Sequence, residues 1–155
     1  MAGVSAPLGF WDPAGFAKDE ESVAQYRRAE IKHGRVCMSS SLGMLVAEKF
    51  HPIFDNWGEG PFVSSMASHF SETATKNFWP AFWIMTAGHE LATTLADYEG
   101  KEEFDYGFDP LNLRPEDPEK LQEYQTMELN HGRWAMICAA GIIAQELVTG
   151  QSVIF

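Results

Sequence analysis

A six-residue motif that occurs twice in the chain restricts its fold more than any other feature. The copies are residues 30–35, EIKHGR, and residues 128–133, ELNHGR, separated by 98 positions. Both contain an acid, a histidine three residues later and then a Gly-Arg pair. Each copy leads into a run of apolar and small residues, where an unpaired charge is costly to bury. The fold must therefore bring partners to these charges.

The correspondence between the two regions continues outside the motif, at the same offset and without insertion through both helices. The lead-in segments also match, since GFWDP starts at residue 9 and GFDP at residue 107. A duplicated helix predicts two copies that cross about a local two-fold axis, with a second helix outside the repeat. The further matched pairs are Tyr26 and Tyr124, Met38 and Met136, Gly43 and Gly141, and Glu48 and Glu146.

Local signals predict an all-α fold, a single domain of residues 1–155 with helices at about 22–49, 78–96 and 118–148. Acids before the first helix suit its N-terminus, and His51-Pro52 ends it because a residue before proline avoids helical geometry. Pro80 is tolerated in the first turn of the second helix, and Gly150 ends the third. Residues 62–70 fit a short amphipathic helix. No segment keeps the period of two that a strand needs.

We expect the three helices to cross a membrane, although none is apolar throughout. A spanning helix needs about 20 mainly apolar residues, and each of these segments carries ionisable groups. A charge at the middle of a bilayer costs on the order of 2.5–3.5 kcal/mol, so it needs a partner there. A soluble helical bundle with surface ion pairs is the alternative that the weak hydropathy signal leaves open.

The repeat itself predicts partners for the motif charges. Within one copy the acid and the arginine are five residues apart, about 140° around the helix, which is poor geometry for an ion pair. If the helices cross at the motif glycines, the acid of each copy reaches the arginine of the other. The expected pairs are Glu30 with Arg133 and Glu128 with Arg35. Small residues, including the Ser39-x-x-x-Gly43 pattern, would let the backbones approach closely.

Each motif copy also places two potential metal ligands on one helix face, because residues three apart are neighbours there. A di-iron site uses such pairs, but it needs an acid from each of two more helices, and only one further helix is predicted. Magnesium at the centre of a chlorophyll needs a single axial ligand from the protein, either a neutral imidazole or a carboxylate that an arginine neutralises. Gln145 lies about 21 Å further along the helix than His131 and is an additional candidate.

At these residues the chain resembles the three-helix chlorophyll-binding light-harvesting antenna family. The resemblance covers nearly the whole chain and rests on EIKHGRVCM and ELNHGRWAM with their GFWDP and GFDP lead-ins. The segments LGFWDPAGF, FDPLNLRPEDP and IAQELVTG are most similar to red-lineage chlorophyll a/c antennas, including the peridinin-carrying dinoflagellate type.

The resemblance implies a role for each motif residue. His131 stands where relatives often have asparagine, and histidine at this position can also bind the magnesium of a chlorophyll. Arg35 and Arg133 match the arginines of the reciprocal ion pairs with Glu30 and Glu128. The implied axial ligands of chlorophyll magnesium are Glu30, His33, Glu128, His131, Gln145 and, in the middle helix, either His89 or Glu90. The implied carotenoid-binding residues are Asp12, Pro13, Asp109 and Pro110.

The resemblance further implies that the chain is not an enzyme but a photosynthetic light harvester. It would bind chlorophyll a, chlorophyll c and carotenoids of the peridinin, fucoxanthin or diadinoxanthin type. It would be a multi-pass protein of the plastid thylakoid membrane, surrounded by thylakoid lipids and other antenna subunits. Excitation would pass to a photosystem core, photosystem I in preference to photosystem II. The formal charge of −11 argues against a nucleic-acid partner.

Two other functions stay open from the sequence. One is a photoprotective quencher of the same family, in which the repeated acids Glu48 and Glu146 would sense protons. These acids are expected at the membrane interface, near the far ends of their helices. The other is a soluble di-iron helical protein.

Overall fold

The computed structural model describes residues 2–48, 78–95, 105 and 108–153 of the chain. These residues form three helices, which we call α1 (Glu20–Ala47), α2 (Trp79–Leu95) and α3 (Pro118–Thr149). Within these ranges no strand occurs, and an isolated bridge joins Ser5 to Gly9. The predicted all-α fold is confirmed. The helix stop expected at residues 51–52 and the short helix expected at 62–70 lie outside the described residues.

The helices α1 and α3 begin in the same way, with an aspartate that caps the N-terminus. Asp19 Oδ1 accepts a hydrogen bond from the backbone N–H of Ser22 at 2.8 Å and another from its hydroxyl group. Asp117, 98 residues later, accepts one from the N–H of Glu119 at 3.1 Å. An aspartate side chain satisfies N–H groups that the first helical turn leaves without a partner. The bonds from Ser22 hold the pKa of Asp19 below its usual value of 3.8.

The C-terminus of α3 is set by a glycine. Gly150 has a φ of 63°, and its N–H donates to the carbonyl oxygen of Glu146 at 2.9 Å. This left-handed conformation ends many helices, and glycine adopts it without steric cost. The predicted stop at Gly150 is therefore confirmed.

The chain divides into two compact units, and α1 and α3 each contribute to both. The first unit comprises Met1–Met38 and Gly100–Ile137 and contains both motif copies. Its buried apolar side chains in the described residues are Ile31 and Leu129. The second unit comprises Ser39–Glu99 and Cys138–Phe155. Its described part contains α2 and buries Ala139 and Ile142.

Hydropathy does not mark membrane spans in the part of the chain that the structure describes. No helix there is long and apolar enough to cross a bilayer. Both α1 and α3 carry the charged motif in the same helix as their apolar segment.

Candidate functional site

The two motif copies meet at their glycines. A Cβ atom added to Gly34 would lie 3.0 Å from the Cα atom of Gly132, and one added to Gly132 would lie 3.0 Å from the Cα of Gly34. Both glycines are buried. Because the obstructing atoms are backbone atoms, no side chain could rotate away to make room. Glycine is therefore required on both helices for this close approach.

On either side of the glycines, the acid of each copy is bonded to the arginine of the other. Arg133 Nε donates to Glu30 Oε1 at 2.7 Å, and Arg35 Nε donates to Glu128 Oε1 at 2.6 Å. The same atoms are used in both pairs, as a local two-fold arrangement requires. The four side chains are partly exposed, with 27–37% of their surface accessible. Each acid is therefore neutralised while part of its surface stays open.

The first copy has additional polar contacts around its acid. Arg27 Nη1 donates to Glu30 Oε2 at 2.8 Å, and only 11% of the Arg27 side chain is exposed. Arg133 Nη1 donates to the carbonyl oxygen of Gly3 at 2.9 Å and to Asn130 Oδ1 at 3.3 Å. Both carboxylate oxygens of Glu30 are therefore hydrogen-bonded, each to a different guanidinium group.

The N-terminal segment packs directly against this cluster through Gly3. This residue is buried with a φ of 77°, and its N–H donates to Thr126 Oγ1 at 3.2 Å. A Cβ atom at Gly3 would lie 2.6 Å from Leu129 Cδ1 and 2.7 Å from Arg27 Nη1. No sequence pattern predicts this contact, because a glycine in a loop is common. The contact between Arg27 and Glu30 is predictable from the sequence, because Arg27 lies three residues before Glu30 on the same helix face.

The two motif histidines share one hydrogen-bonding arrangement. His33 Nδ1 lies 2.7 Å from the carbonyl oxygen of Ala29, and His131 Nδ1 lies 2.8 Å from that of Met127. A carbonyl oxygen only accepts, so Nδ1 of the neutral ring carries the proton and Nε2 keeps its lone pair. Both rings are exposed. A metal ligand whose other nitrogen donates to a backbone carbonyl is a common arrangement in metal sites.

The remaining ligand candidates all lie in the second unit. Gln145 is exposed on α3, His89 is exposed on α2, and Glu90 is partly buried beside it. These positions leave the choice between His89 and Glu90 open. Among the described residues no group of three or more His, Cys, Asp or Glu side chains could hold a metal ion by itself. The donors that a di-iron site needs are therefore not gathered in this part of the chain.

The two Asp-Pro loops have the same conformation. The carboxylate of Asp12 accepts hydrogen bonds from the N–H groups of Phe16 at 3.2 Å and Ala17 at 2.8 Å. Asp109 accepts from Leu113 at 3.0 Å and Arg114 at 2.9 Å, again four and five residues later. These N–H groups, above all those of Ala17 and Arg114, hold the pKa of Asp12 and Asp109 below the usual value of 3.8. Both loops are therefore fixed by an ionised aspartate.

Each loop also contains one residue with a left-handed backbone at the same place. Gly15, with a φ of 66°, and Asn112, with a φ of 51°, both lie three residues after the aspartate. The N–H of each donates to the carbonyl oxygen of that aspartate at 3.3 Å. Glycine and asparagine tolerate this conformation better than other residues. The sequences DPAG and DPLN therefore form the same type of turn.

The family model for chlorophyll A-B binding proteins matches residues 1–147. The chain belongs to this family. The fucoxanthin-chlorophyll a-c binding protein of Isochrysis galbana is 42% identical over 94% of this chain and 75% of its own length. The corresponding protein of Chattonella marina var. antiqua is 32% identical over 99% and 72%. The resemblance inferred from the doubled motif is thereby confirmed.

A second kind of relative has a stress-related name. The light-harvesting complex stress-related protein 3.2 of Chlamydomonas reinhardtii is 39% identical over 96% of this chain. This chain spans 63% of the length of that relative, which is less than two thirds. Members of the chlorophyll-binding family harvest light with bound pigments and are not enzymes. Membership therefore argues against a di-iron oxidase.

The described surface of this chlorophyll-binding chain is suited to apolar ligands. Four apolar side chains are buried in the described residues, whereas Trp134 is 69% and Val148 is 85% exposed. A protein surface with many large apolar side chains marks a place where another apolar body binds. Together with the open Nε2 atoms of the histidines, this surface fits flat macrocycles held by one axial ligand each. Other large exposed side chains are Trp11, Phe16, Leu42, Trp83, Ile84, Met85, Leu91, Phe108, Ile137 and Leu147.

The repeated acids Glu48 and Glu146 are both covered by protein. Glu48 is only 5% and Glu146 only 3% exposed, and their place at the membrane interface stays a prediction. For Glu48 the reason for the burial is visible, because the C-terminal segment returns over it and the N–H of Val153 donates to its Oε1 at 2.6 Å. The sequence showed that these acids repeat, but not that they are covered.

Proposed function

We propose that this chain is a pigment-binding antenna subunit of the plastid thylakoid membrane, built on the crossed pair of α1 and α3. The observation that carries the proposal is the symmetric arrangement around Gly34 and Gly132. It combines two neutralised acids and two histidines with open Nε2 atoms in one unit. The chemistry that bound chlorophyll supplies is light absorption and excitation transfer, with its magnesium accepting one axial ligand. The protein residues supply that ligand and fix the position and orientation of the pigment.

The ligands differ in what they require from their surroundings. His33 and His131 offer a neutral nitrogen, which needs no counter-charge. Glu30 and Glu128 serve as ligands because an arginine of the crossing helix balances each carboxylate. Gln145 offers a neutral amide, and either His89 or Glu90 serves on α2. The proposed pigments are chlorophyll a and chlorophyll c.

We assign carotenoid ends to the two Asp-Pro loops. Asp12-Pro13 and Asp109-Pro110 precede turns of the same conformation, and the aromatic and aliphatic side chains around them are exposed. Two equivalent loops at the two copies fit two carotenoids of the peridinin, fucoxanthin or diadinoxanthin type. Contact between these carotenoids and the chlorophylls would extend absorption and quench chlorophyll triplets.

The proposal places all three helices across the thylakoid membrane. With 28 and 32 residues, α1 and α3 are about 42 Å and 48 Å long, against a hydrocarbon core of about 30 Å. The 17 residues of α2 reach about 26 Å. The motif charges lower the mean hydropathy, but their pairing lowers the cost of placing them in lipid. Exposed apolar side chains would contact thylakoid lipids and pigments.

The proposed partners are a photosystem core, photosystem I in preference to photosystem II, and other antenna subunits. This part of the proposal rests on membership of the light-harvesting family. Energy transfer to photosystem I would appear as chlorophyll absorption of this subunit in the excitation spectrum of purified photosystem I particles.

Reconstitution with extracted pigments tests the ligand assignment. His131→Phe removes the open nitrogen and should lose about one chlorophyll per chain, measured by chromatography of the extracted pigments. Glu123→Phe introduces the same side chain at an exposed position on α3 and should leave the content unchanged. Equal chlorophyll content in the two variants would contradict the assignment of His131 as a ligand.

A photoprotective quencher is the second candidate function. Two observations favour it: the similarity to the stress-related relative and the burial of Glu48 and Glu146. Protonation of a buried acid changes packing more than protonation of an exposed one. In this case acidification should shorten the chlorophyll fluorescence lifetime, and the double variant Glu48→Gln and Glu146→Gln should abolish the change. A lifetime that does not depend on pH would leave only the harvesting function.

A further inference from the structure

We propose that Arg27 is a positioning residue that makes Glu30 and Glu128 unequal as chlorophyll ligands, although the repeat makes them equivalent in sequence. The inference rests on the proposed function, because it takes both acids to be axial ligands. It goes beyond that function by giving the two ligands different properties. The structural basis is a contact that the first copy has and the second lacks in the described residues.

The Glu30 carboxylate is held at two points. Oε1 accepts from Arg133 Nε at 2.7 Å, and Oε2 accepts from Arg27 Nη1 at 2.8 Å. Two bonds from opposite sides prevent the carboxylate from rotating about its last side-chain torsion. They also leave each oxygen with one remaining lone-pair site. A magnesium ion at Glu30 would therefore meet an oxygen in a fixed direction.

The Glu128 carboxylate is held at one point. Its Oε1 accepts from Arg35 Nε at 2.6 Å, and within the described ranges its Oε2 accepts no hydrogen bond. The repeat explains the difference, because position 125, which corresponds to Arg27, is Gln125. Among the residues that the structure describes, the first copy therefore joins two guanidinium groups to one acid, with a formal charge of +1, and the second joins one guanidinium group to one acid, with a formal charge of zero.

The N-terminal segment keeps Arg27 in place. The guanidinium group lies against the backbone of Gly3, where a Cβ atom would come within 2.7 Å of Nη1. The carbonyl oxygen of Gly3 accepts from Arg133 at 2.9 Å. Gly3 thus contacts both arginines that hold Glu30, and it explains why only 11% of Arg27 is exposed. A buried, charge-assisted hydrogen bond is stronger than an exposed one.

The consequence is a difference between two pigments. The chlorophyll on Glu30 experiences an extra positive charge and a ligand oxygen held in a fixed direction, and both change the energy of its lowest absorption band. The chlorophyll on Glu128 has a ligand that is held at one oxygen and is free to rotate. Two sites that a symmetric repeat would make spectrally equal are in this way separated in energy.

The test uses the pigment-reconstituted full chain and the variant Arg27→Gln, which gives the first copy the residue of the second. The double variant Glu30→Leu with Arg133→Leu removes the acid and its partner together. Its difference spectrum at low temperature identifies the band of the Glu30 chlorophyll. We expect Arg27→Gln to shift that band and to accelerate the loss of this pigment in detergent about tenfold, the value for one charge-assisted hydrogen bond. Arg28→Gln removes the same charge at an exposed position and should do neither.

The outcomes separate this inference from the function on which it rests. If the double variant keeps all of its chlorophyll, Glu30 is not a ligand and the proposed site fails. If the double variant loses a chlorophyll but Arg27→Gln leaves the band and the loss rate unchanged, the inference about Arg27 is wrong while the site stands. Should Arg27→Gln fail to assemble, Arg27→Lys keeps the charge with a single ammonium group. A band at the wild-type energy in the Arg27→Lys variant would support positioning by charge. A shifted band in this variant, with the pigment lost at the wild-type rate, would contradict it.

Discussion

Substituting alanine for each of four glycines tests the crossing of α1 and α3 most directly. Gly34→Ala places a Cβ atom 3.0 Å from the Cα of Gly132, closer than ordinary carbon contacts of about 3.5–4.0 Å. The helices must separate by several tenths of an ångström. Overpacking of this kind costs about 1–3 kcal/mol, against which alanine gains up to about 1 kcal/mol in helix propensity. We expect a net loss of about 1–2 kcal/mol, and the same for Gly132→Ala.

The chain supplies a matched control in the second pair of repeated glycines. A Cβ atom at Gly43 or Gly141 meets no atom within 4 Å among the described residues. Alanine there should gain helix propensity without a steric penalty and raise stability by about 0.5–1 kcal/mol. The same substitution on α1 is therefore expected to lower the free energy of unfolding at Gly34 and to raise it at Gly43.

The assay is thermal unfolding of the detergent-solubilised chain, followed by far-ultraviolet circular dichroism. For a chain of this size, 1 kcal/mol corresponds to a shift of about 2–4 °C in the melting temperature, which is measurable. The reasoning is refuted if Gly34→Ala stabilises the chain as Gly43→Ala does, because the two helices would then not be in backbone contact at Gly34.

Three further predictions concern the charges and the loops. Arg133→Leu removes the bond at Glu30 Oε1 and, because the pair is partly exposed, should lower the free energy of unfolding by about 1 kcal/mol, measured by denaturant titration. Gly15→Ala should cost about 1–2 kcal/mol because it forces alanine into a left-handed conformation, whereas Asn112→Gly should be neutral or slightly stabilising in the same titration. The pKa of Asp109 is lowered in the folded chain, so its contribution to stability is fully present above about pH 3.8 and is lost as the pH falls below it. Asp109→Asn should accordingly flatten the acid limb of a stability profile against pH, and an unchanged limb would contradict the role of this carboxylate.

The repeat explains why so much of the first unit could be predicted from the sequence. A single Glu-x-x-His-Gly-Arg motif has several ways to satisfy its charges. Two copies on crossing helices have one symmetric way, in which Glu30 and Glu128 each meet the arginine of the other copy. The same symmetry extends to the helix caps at Asp19 and Asp117, which the motif alone does not predict because caps depend on local geometry.

The features that the sequence did not predict break the symmetry or depend on distant segments. Gly43 fits a small-residue packing pattern as well as Gly34 does, yet no atom of the described residues lies within 4 Å of a Cβ atom placed there. Two crossing helices approach most closely over a short length, and among the described glycines of α1 and α3 that place is at Gly34 and Gly132. Glu48 is covered by a backbone group more than 100 residues away in sequence. Such coverage depends on where the chain returns, which local patterns do not specify.

The described residues suggest how a duplicated helix acquires two different sites. Duplication supplies both acids and both arginines at once, and symmetry makes the resulting pairs equal. Differences need only affect residues next to the pair, such as Arg27 in one copy and Gln125 in the other, or a segment that contacts the pair, such as the backbone at Gly3. These changes leave the contact at Gly34 and Gly132 intact, because they lie beside it and not within it. A fold held by symmetric backbone contact is therefore free to vary the electrostatics of each proposed ligand independently, as an array of pigments with graded energies would require.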